Sequence, residues 1–296
     1  ERGELPIRMY AMVGGESVER LATELPRYRV VGHANHFLTV RSIKRSVDGA
    51  LGSRSAWLLE PYTDAPDSTG LVLDSLETIE RTAELALKHG YQLNTHAIGD
   101  RANREVLDLY ERVQRGRDGP ALRWRIEHAQ HLHPTDVPRF AKLGVLASVQ
   151  GIHASSDGPW VPKRLGEPRA GERTYVWRSL IDSGARINNG TDVPVEDIDP
   201  LASFRASVTR EMANGQRFHP EQSMTREEAL ASYTRNNAYA AFEEDLKGSL
   251  APGRLADFVV LDRDILRVPD AELAAARVLH TVLAGRVVYS RAPAAR

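Results

Sequence analysis

Short apolar runs alternate with amphipathic stretches along most of the chain, and the hydrophobic period switches between about two and about 3.6 residues at each change. From about residue 5 to 190 this rhythm predicts repeated β-α units packed as a parallel sheet or barrel. Strands are expected at Pro6 to Val13, Phe37 to Val47, Tyr91 to His96, Arg123 to His128 and Val145 to Gln150, with a sixth at Ala185 to Thr191. A helix is expected over Asp74 to His89, where Leu76, Ile79, Ala83, Leu85 and Ala86 form a rough stripe and Gly90 supplies the C-terminal stop. After Asp100, Val106, Leu109, Tyr110 and Val113 repeat at helical spacing, and Asp100 is placed to cap that helix. Residues 151–174 break the rhythm with Gly, Pro and charge, which predicts a long loop covering an active site rather than a domain linker. Thr225 and Glu228 form a capping-box pattern ahead of a further helix. Near residue 245 the texture changes. Residues 248–262 and 277–290 are β-rich runs punctuated by Gly and Pro, which predicts hairpins of a small β-domain. The expected division is residues 1–244 as an α/β barrel domain and 245–296 as appended strands.

Composition narrows the chemistry. With 296 residues and 42% hydrophobic side chains the chain can bury a sizeable core. Its 39 Lys and Arg nearly cancel its 40 Asp and Glu, so no global field draws it to nucleic acid or an anionic membrane, and a small neutral molecule is the expected partner. The absence of cysteine excludes disulfides, thiolate zinc sites and cysteine nucleophiles, so any metal must use His, carboxylate or modified Lys. No apolar run approaches a membrane span, and the opening ERGELPIRMYAMVGG has neither a cationic leader nor a signal-type stretch, so a cytoplasmic protein is expected. Because the chain opens on Glu1 with a strand-like run close behind, a lost or processed N-terminus is also expected.

In a barrel, side chains at the C-terminal ends of strands converge on the active site. Four such positions carry chemistry: Lys44, His96 ending YQLNTH, His128 ending RWRIEH, and Asp192 after RINNGT. Each also has a plain structural reading. A histidine ending a strand serves as a hydrogen-bonded structural residue, Lys44 as a solvated or ion-paired lysine, and Asp192 as the cap of a following turn. The order of the two histidines favours ligation, since imidazoles from successive strand ends can point at one ion. An ammonium cannot ligate a cation, but a neutral Lys44 amine can add carbon dioxide to give an anionic carbamate able to bridge two metals.

The chain resembles the amidohydrolase superfamily, and within it amidohydrolase family 3, which includes N-substituted formamide deformylase-like proteins. The resemblance runs through IKRSVDGALGSRSA (43–56), LNTHAIGDRA (93–102), RIEHAQ (125–130), NNGTDVPV (188–195) and GSLAPGRLADFVVLD (248–262). It implies a (β/α)8 TIM-barrel metal-dependent hydrolase with part of a small β-sandwich. It assigns Lys44 as the carboxylated, metal-bridging lysine, His96 and His128 as metal ligands, and Asp192 as the catalytic aspartate that also ligates. Full-length relatives begin with another part of the sandwich and a first barrel strand bearing an HxH metal pair. The HxH of this chain, His131-Leu132-His133, precedes Pro134 and is expected as a surface turn. The chain therefore resembles the C-terminal portion of a longer protein, incomplete at the N-terminus, and the expected cover for its open barrel edge is a complementing N-terminal segment or a second copy.

The reaction implied is hydrolysis of an amide-like carbon–nitrogen bond by metal-activated water, with Asp192 moving the proton from nucleophile to departing nitrogen. One or two divalent ions are expected, zinc first, with iron, manganese and cobalt as alternatives. Asp48 and Arg54 in DGALGSR are candidate substrate contacts, or else parts of a tight salt-bridged loop. His153 and Asp157 are candidates for binding substrate polar groups, or a solvated loop, and Arg101 is expected to support the loop after His96. Two other functions fit the sequence: a noncatalytic amidohydrolase-like scaffold or subunit, and a hydrolase of ester, cyclic amide or N-acyl amino-acid substrates.

Overall fold

The alternating pattern becomes strands and helices close to the expected places in a computed structural model that describes residues 5–292. The extreme ends of the two expected segments, residues 1–4 and 293–296, lie outside the described residues. The strands are β1 (Met9–Val13), β2 (Val30–Gly32), β3 (Leu38–Ser46), β4 (Gln92–Ala97), β5 (Arg125–His128), β6 (Leu146–Gln150), β7 (Ile187–Gly190), β8 (Phe258–Leu261), β9 (Val278–Leu283) and β10 (Arg286–Ser290). By backbone contacts the chain divides into two units, residues 1–149 with 159–187, and residues 150–158 with 188–296.

In the first unit β1, β3, β4, β5 and β6 pair in parallel in that order, and β2 adds a short antiparallel contact to β3. Register sorts the side chains into rows. Lys44, Asn94, Arg125 and Leu146 share one row, and Ser46, His96, Glu127 and Ser148 another. The intervening row, Arg45, Thr95, Ile126 and Ala147, faces the helices: Tyr110 of helix Asp100–Val113 donates its hydroxyl to Thr95 Oγ1 at 2.8 Å, and Arg45 Nε donates to Thr82 Oγ1 of helix Leu76–His89 at 2.8 Å. Alternation along each strand therefore puts one face under helices and leaves the other lined with polar groups.

Helix Leu76–His89 starts with Ser75, whose hydroxyl accepts from Thr78 N, and stops at Gly90, whose φ of 71° is cheap only without a Cβ. Its buried Ile79, Ala83 and Ala86 form the expected stripe, each full burial of an Ile-sized side chain contributing about 1.5–3 kcal/mol. Asp74, expected inside this helix, instead accepts from Ser46 N at 3.1 Å and ties the end of β3. The next helix corrects another expectation. Gly99 occupies its cap position, while Asp100 turns inward, accepting from Leu59 N at 2.9 Å and from Arg173 Nη1 at 2.8 Å. A buried carboxylate with a cation in reach gains more there than from a local cap.

The long loop expected over 151–174 is mostly short helices. Gly151–Asp157 belongs to the second unit, while Val161–Leu165 and Glu167–Arg173 belong to the first. Pro162 and Pro168, which the local pattern reads as loop signals, sit in the first turn of their helices, where a missing N–H costs nothing. The HxH segment is likewise no surface turn. His131 and Leu132 are buried, His131 Nδ1 lies 3.1 Å from Thr174 Oγ1, and the His131 backbone N–H donates to Ile98 O at 3.0 Å. Pro134 ends the buried stretch and does not expose it.

In the second unit the side chain of Asn189 on β7 accepts from Gly151 N and donates to Ser207 Oγ and Ser232 Oγ, joining three helices through one amide. Thr225 and Glu228 form the expected capping box on helix Arg226–Tyr233. The tail forms an antiparallel sheet in the order β10, β9, β8, with Ala284 and Gly285 turning the last hairpin at positive φ. Phe258, Val259, Val260, Val287, Val288 and Tyr289 of this sheet are exposed.

Candidate active site

The first unit brings Lys44, His96 and His128 to the same end of the sheet. Lys44 stands near the end of β3, two residues before Ser46, which is the register partner of His96. Lys44 Nζ reaches Ser46 Oγ at 3.5 Å. The His96 and His128 rings meet edge to face with centroids 4.4 Å apart.

That meeting needs a break in the strand. On β5 it is Glu127 that shares a row with His96, whereas His128 pairs with Ala97 in the row facing the helices. Strict alternation would hold the two imidazoles on opposite faces. His128 and Ala129 instead adopt φ of 78° and 42°, in a region that few L-residues enter and that His tolerates better than Ala. The turn re-aims the His128 ring across the end of the sheet, a local strain of the kind that persists where packing over-determines it.

Burial holds His96 neutral. Its imidazole pKa falls to about 2, chiefly from burial and then from the neighbouring charges of His128 and Lys44. A neutral ring keeps a lone pair for a cation. Its Nε2 is buried, 3.5 Å from Asp48 Oδ1, and makes no hydrogen bond of its own. Among the described residues no group of three or more His, Asp and Glu side chains is gathered to hold an ion. The two imidazoles nevertheless suit a divalent cation, whereas Lys44 beside them cannot join such a donor set as an ammonium.

Asp48 lies just beyond β3 and is fully buried. Its Oδ1 accepts from Ile98 N at 3.0 Å, and its Oδ2 accepts from Trp57 N and Gly99 N at 2.8 Å each. Burial pushes its carboxyl up to about 7, against the pull of those three donors. Arg54, at φ 59°, forks onto Asp64 at 3.1 and 3.0 Å, and Asp64 is also paired with Arg164. Arg101 stacks its guanidinium 4.8 Å from the Trp57 ring and faces Glu105 at 3.5 Å.

Asp192 and His153 belong to the second unit. Asp192 is exposed at φ 60°, in a turn where its carbonyl accepts from Val195 N at 2.8 Å. His153 is buried on helix Gly151–Asp157, and Asp157 is half-buried at its end. Three residues on the polar face were not picked out by sequence: Asn94, Arg125 and Glu127, the last two 3.1 Å apart. Counting back in twos from His96 reaches Asn94, but only cross-strand register adds the pair on β5.

The model of the amidohydrolase family matches residues 1–289. The chain is 38% identical over 256 residues to the protein LONG AFTER FAR-RED 3 of Arabidopsis thaliana, covering 86% of this chain and 44% of that one. It is 28% identical over 293 residues to an N-substituted formamide deformylase of Arthrobacter pascens, covering 98% of this chain and 53% of the relative. Among solved structures it matches an uncharacterized metal-dependent hydrolase from Pyrococcus horikoshii with a TM-score of 0.79 and 32% identity, over 91% of this chain and 53% of that one. The chain thus spans about half the length of these relatives. The curled parallel sheet with helices on one face is the (β/α)8 TIM-barrel-like fold of metal-dependent hydrolases. By motif, by sheet register and by these matches over nearly its full length, the chain belongs to the amidohydrolase family.

Proposed function

We propose that this chain serves the metal-dependent hydrolysis of an amide-like carbon–nitrogen bond in a small molecule. The observation that carries the reading is the convergence of Lys44, His96 and His128 at the C-terminal strand ends, with the two imidazoles 4.4 Å apart and His96 held neutral. His96 and His128 would hold a divalent ion, zinc first, through ring nitrogens. Lys44 enters the donor set as its carbamate, formed when the neutral amine adds to carbon dioxide with loss of one proton. A bound divalent ion supplies Lewis-acid polarisation of the scissile carbonyl and a lowered water pKa.

The chain's own residues supply the rest. Asp192, in the motif NNGTDVPV, takes the proton-transfer role: it accepts a proton as the water oxygen bonds to the carbonyl carbon, and returns it to nitrogen as the carbon–nitrogen bond breaks. The Arg125–Glu127 pair keeps charge balanced on the polar face beside His96. A cytoplasmic setting completes the reading. N-substituted formamides come first among the candidate substrates, a reading supported by the likeness to the N-substituted formamide deformylase.

The test is metal content per chain by elemental mass spectrometry, on wild type, His96→Ala and His128→Ala, followed by a panel of N-substituted formamides, esters, cyclic amides and N-acyl amino acids. Near-stoichiometric metal that falls in both variants, with turnover of a member of the panel, supports the proposal. A wild-type chain that stays metal-free after preparation with zinc refutes a self-sufficient metalloenzyme and favours a noncatalytic scaffold.

A further inference from the structure

The carboxylate of Asp48 has no part in the chemistry just described, yet it is the most fully enclosed charged group next to it. It sits two residues beyond β3 and gathers backbone N–H groups from two separate stretches, Trp57 from the following loop and Ile98 and Gly99 from the turn after β4. The same turn is pinned from the other side, since Val47 N donates to His96 O at 3.1 Å. The backbone around His96 is therefore held on both flanks by residues 47 and 48. The ring of His96 then lies with Nε2 3.5 Å from Asp48 Oδ1, while the Gly49 backbone is the other polar group against it.

A ligand imidazole needs one nitrogen bare and the other protonated, and the acceptor beside the protonated nitrogen decides which is which. A buried carboxylate whose orientation is fixed by three N–H donors is a rigid acceptor that does not follow the ring. We propose that Asp48 is the positioning residue of His96: its Oδ1 faces Nε2–H, fixes that tautomer, and leaves Nδ1 as the nitrogen open to a cation. This rests on the metal-site reading above and extends it, because Asp48 acts through the His96 ring. It also gives the segment DGALGSR a function other than substrate contact. The three donors consume the acceptor capacity of Oδ2 and part of that of Oδ1, leaving Oδ1 one direction for the imidazole.

The first measurement is made on the wild-type full chain, labelled with 15N-histidine and free of metal, at pH 7.5. Two-bond 1H–15N correlation spectra read the tautomer, and the spectrum of His96→Gln identifies the His96 signals. The expected result is a single neutral form with the proton on Nε2. A proton on Nδ1, donated to the Gly49 carbonyl, or a mixture of tautomers overturns the proposal. The second measurement is zinc affinity by competition with a chromogenic chelator for wild type and Asp48→Asn. The amide substitution is expected to weaken zinc binding about 10- to 100-fold and to mix the tautomers in a chain whose circular dichroism is unchanged. Unaltered affinity in a folded Asp48→Asn also overturns the proposal. Should that variant fail to fold, the wild-type tautomer still decides. Failure of the metal reading is separable: a wild type that takes up no zinc refutes the hydrolase site, whereas the tautomer bears on Asp48 alone.

Discussion

Acidification is expected to destabilise the fold through His131, and the size of the effect follows from its surroundings. The ring is buried between Thr174, 3.1 Å from its Nδ1, and Tyr175, whose ring centroid is 6.0 Å away. Burial alone pulls its pKa down to about 3. In the unfolded chain the same imidazole titrates near 6.5. Between these values the unfolded state binds one more proton than the native state, so stability is fully present above about pH 6.5 and is lost as pH falls towards 3. The slope is about 1.4 kcal/mol per pH unit, or roughly 2 kcal/mol between pH 6.5 and pH 5. The perturbation is His131→Gln, which keeps a polar partner for Thr174 but cannot titrate. Urea unfolding of both chains at pH 7.5, 6.5, 5.5 and 5.0 gives two curves of stability against pH. The difference between them cancels the parallel contribution of His96, whose pKa is also depressed, to about 2. The wild-type curve should fall more steeply by about 2 kcal/mol over that range. Parallel curves would refute the argument, because they would mean that the ring is not a buried neutral imidazole.

Other perturbations test the neighbouring structure. A Cβ on Gly99 would lie 2.0 Å from Trp57 O, so Gly99→Ala should lower the urea midpoint by the equivalent of about 1–3 kcal/mol; a wild-type midpoint would show that the Trp57 loop moves freely. Arg173→Ala removes the cation facing buried Asp100 and should cost about 3 kcal/mol, read from the same transition. Thr225→Ala deletes one half of the capping box on Arg226–Tyr233 and should cost about 1 kcal/mol, the smallest effect of the set. Removing metal with a chelator should abolish turnover of any substrate found for the wild type, and added zinc should restore it.

Local chemistry was legible in the sequence. The stripe of Ile79, Ala83 and Ala86, the stop at Gly90 and the Thr225–Glu228 box rest on interactions within a few residues, while the strands containing Gln92–Ala97, Arg125–His128 and Leu146–Gln150 and the tail strands show through their own side-chain pattern, and all appear close to where the pattern puts them. The candidate site was legible as a set of residues at strand ends but not as an arrangement. His131 is buried because Thr174, 43 positions away, partners its ring, and Asp100 leaves the cap because Arg173, 73 positions away, reaches it. Pro162 and Pro168 open helices where the local pattern signalled a loop. Above all, period two puts His128 on the wrong face, and only the left-handed turn at residues 128 and 129 carries its ring to His96. Helical periodicity and capping are set by backbone hydrogen bonds that close within about four residues, and a strand's period of two by its own pleat, so the sequence by itself determined the elements and their chemistry. Register, burial and the aim of each strand-end side chain depend on partners tens of residues distant, so only the tertiary structure decided which of those groups meet.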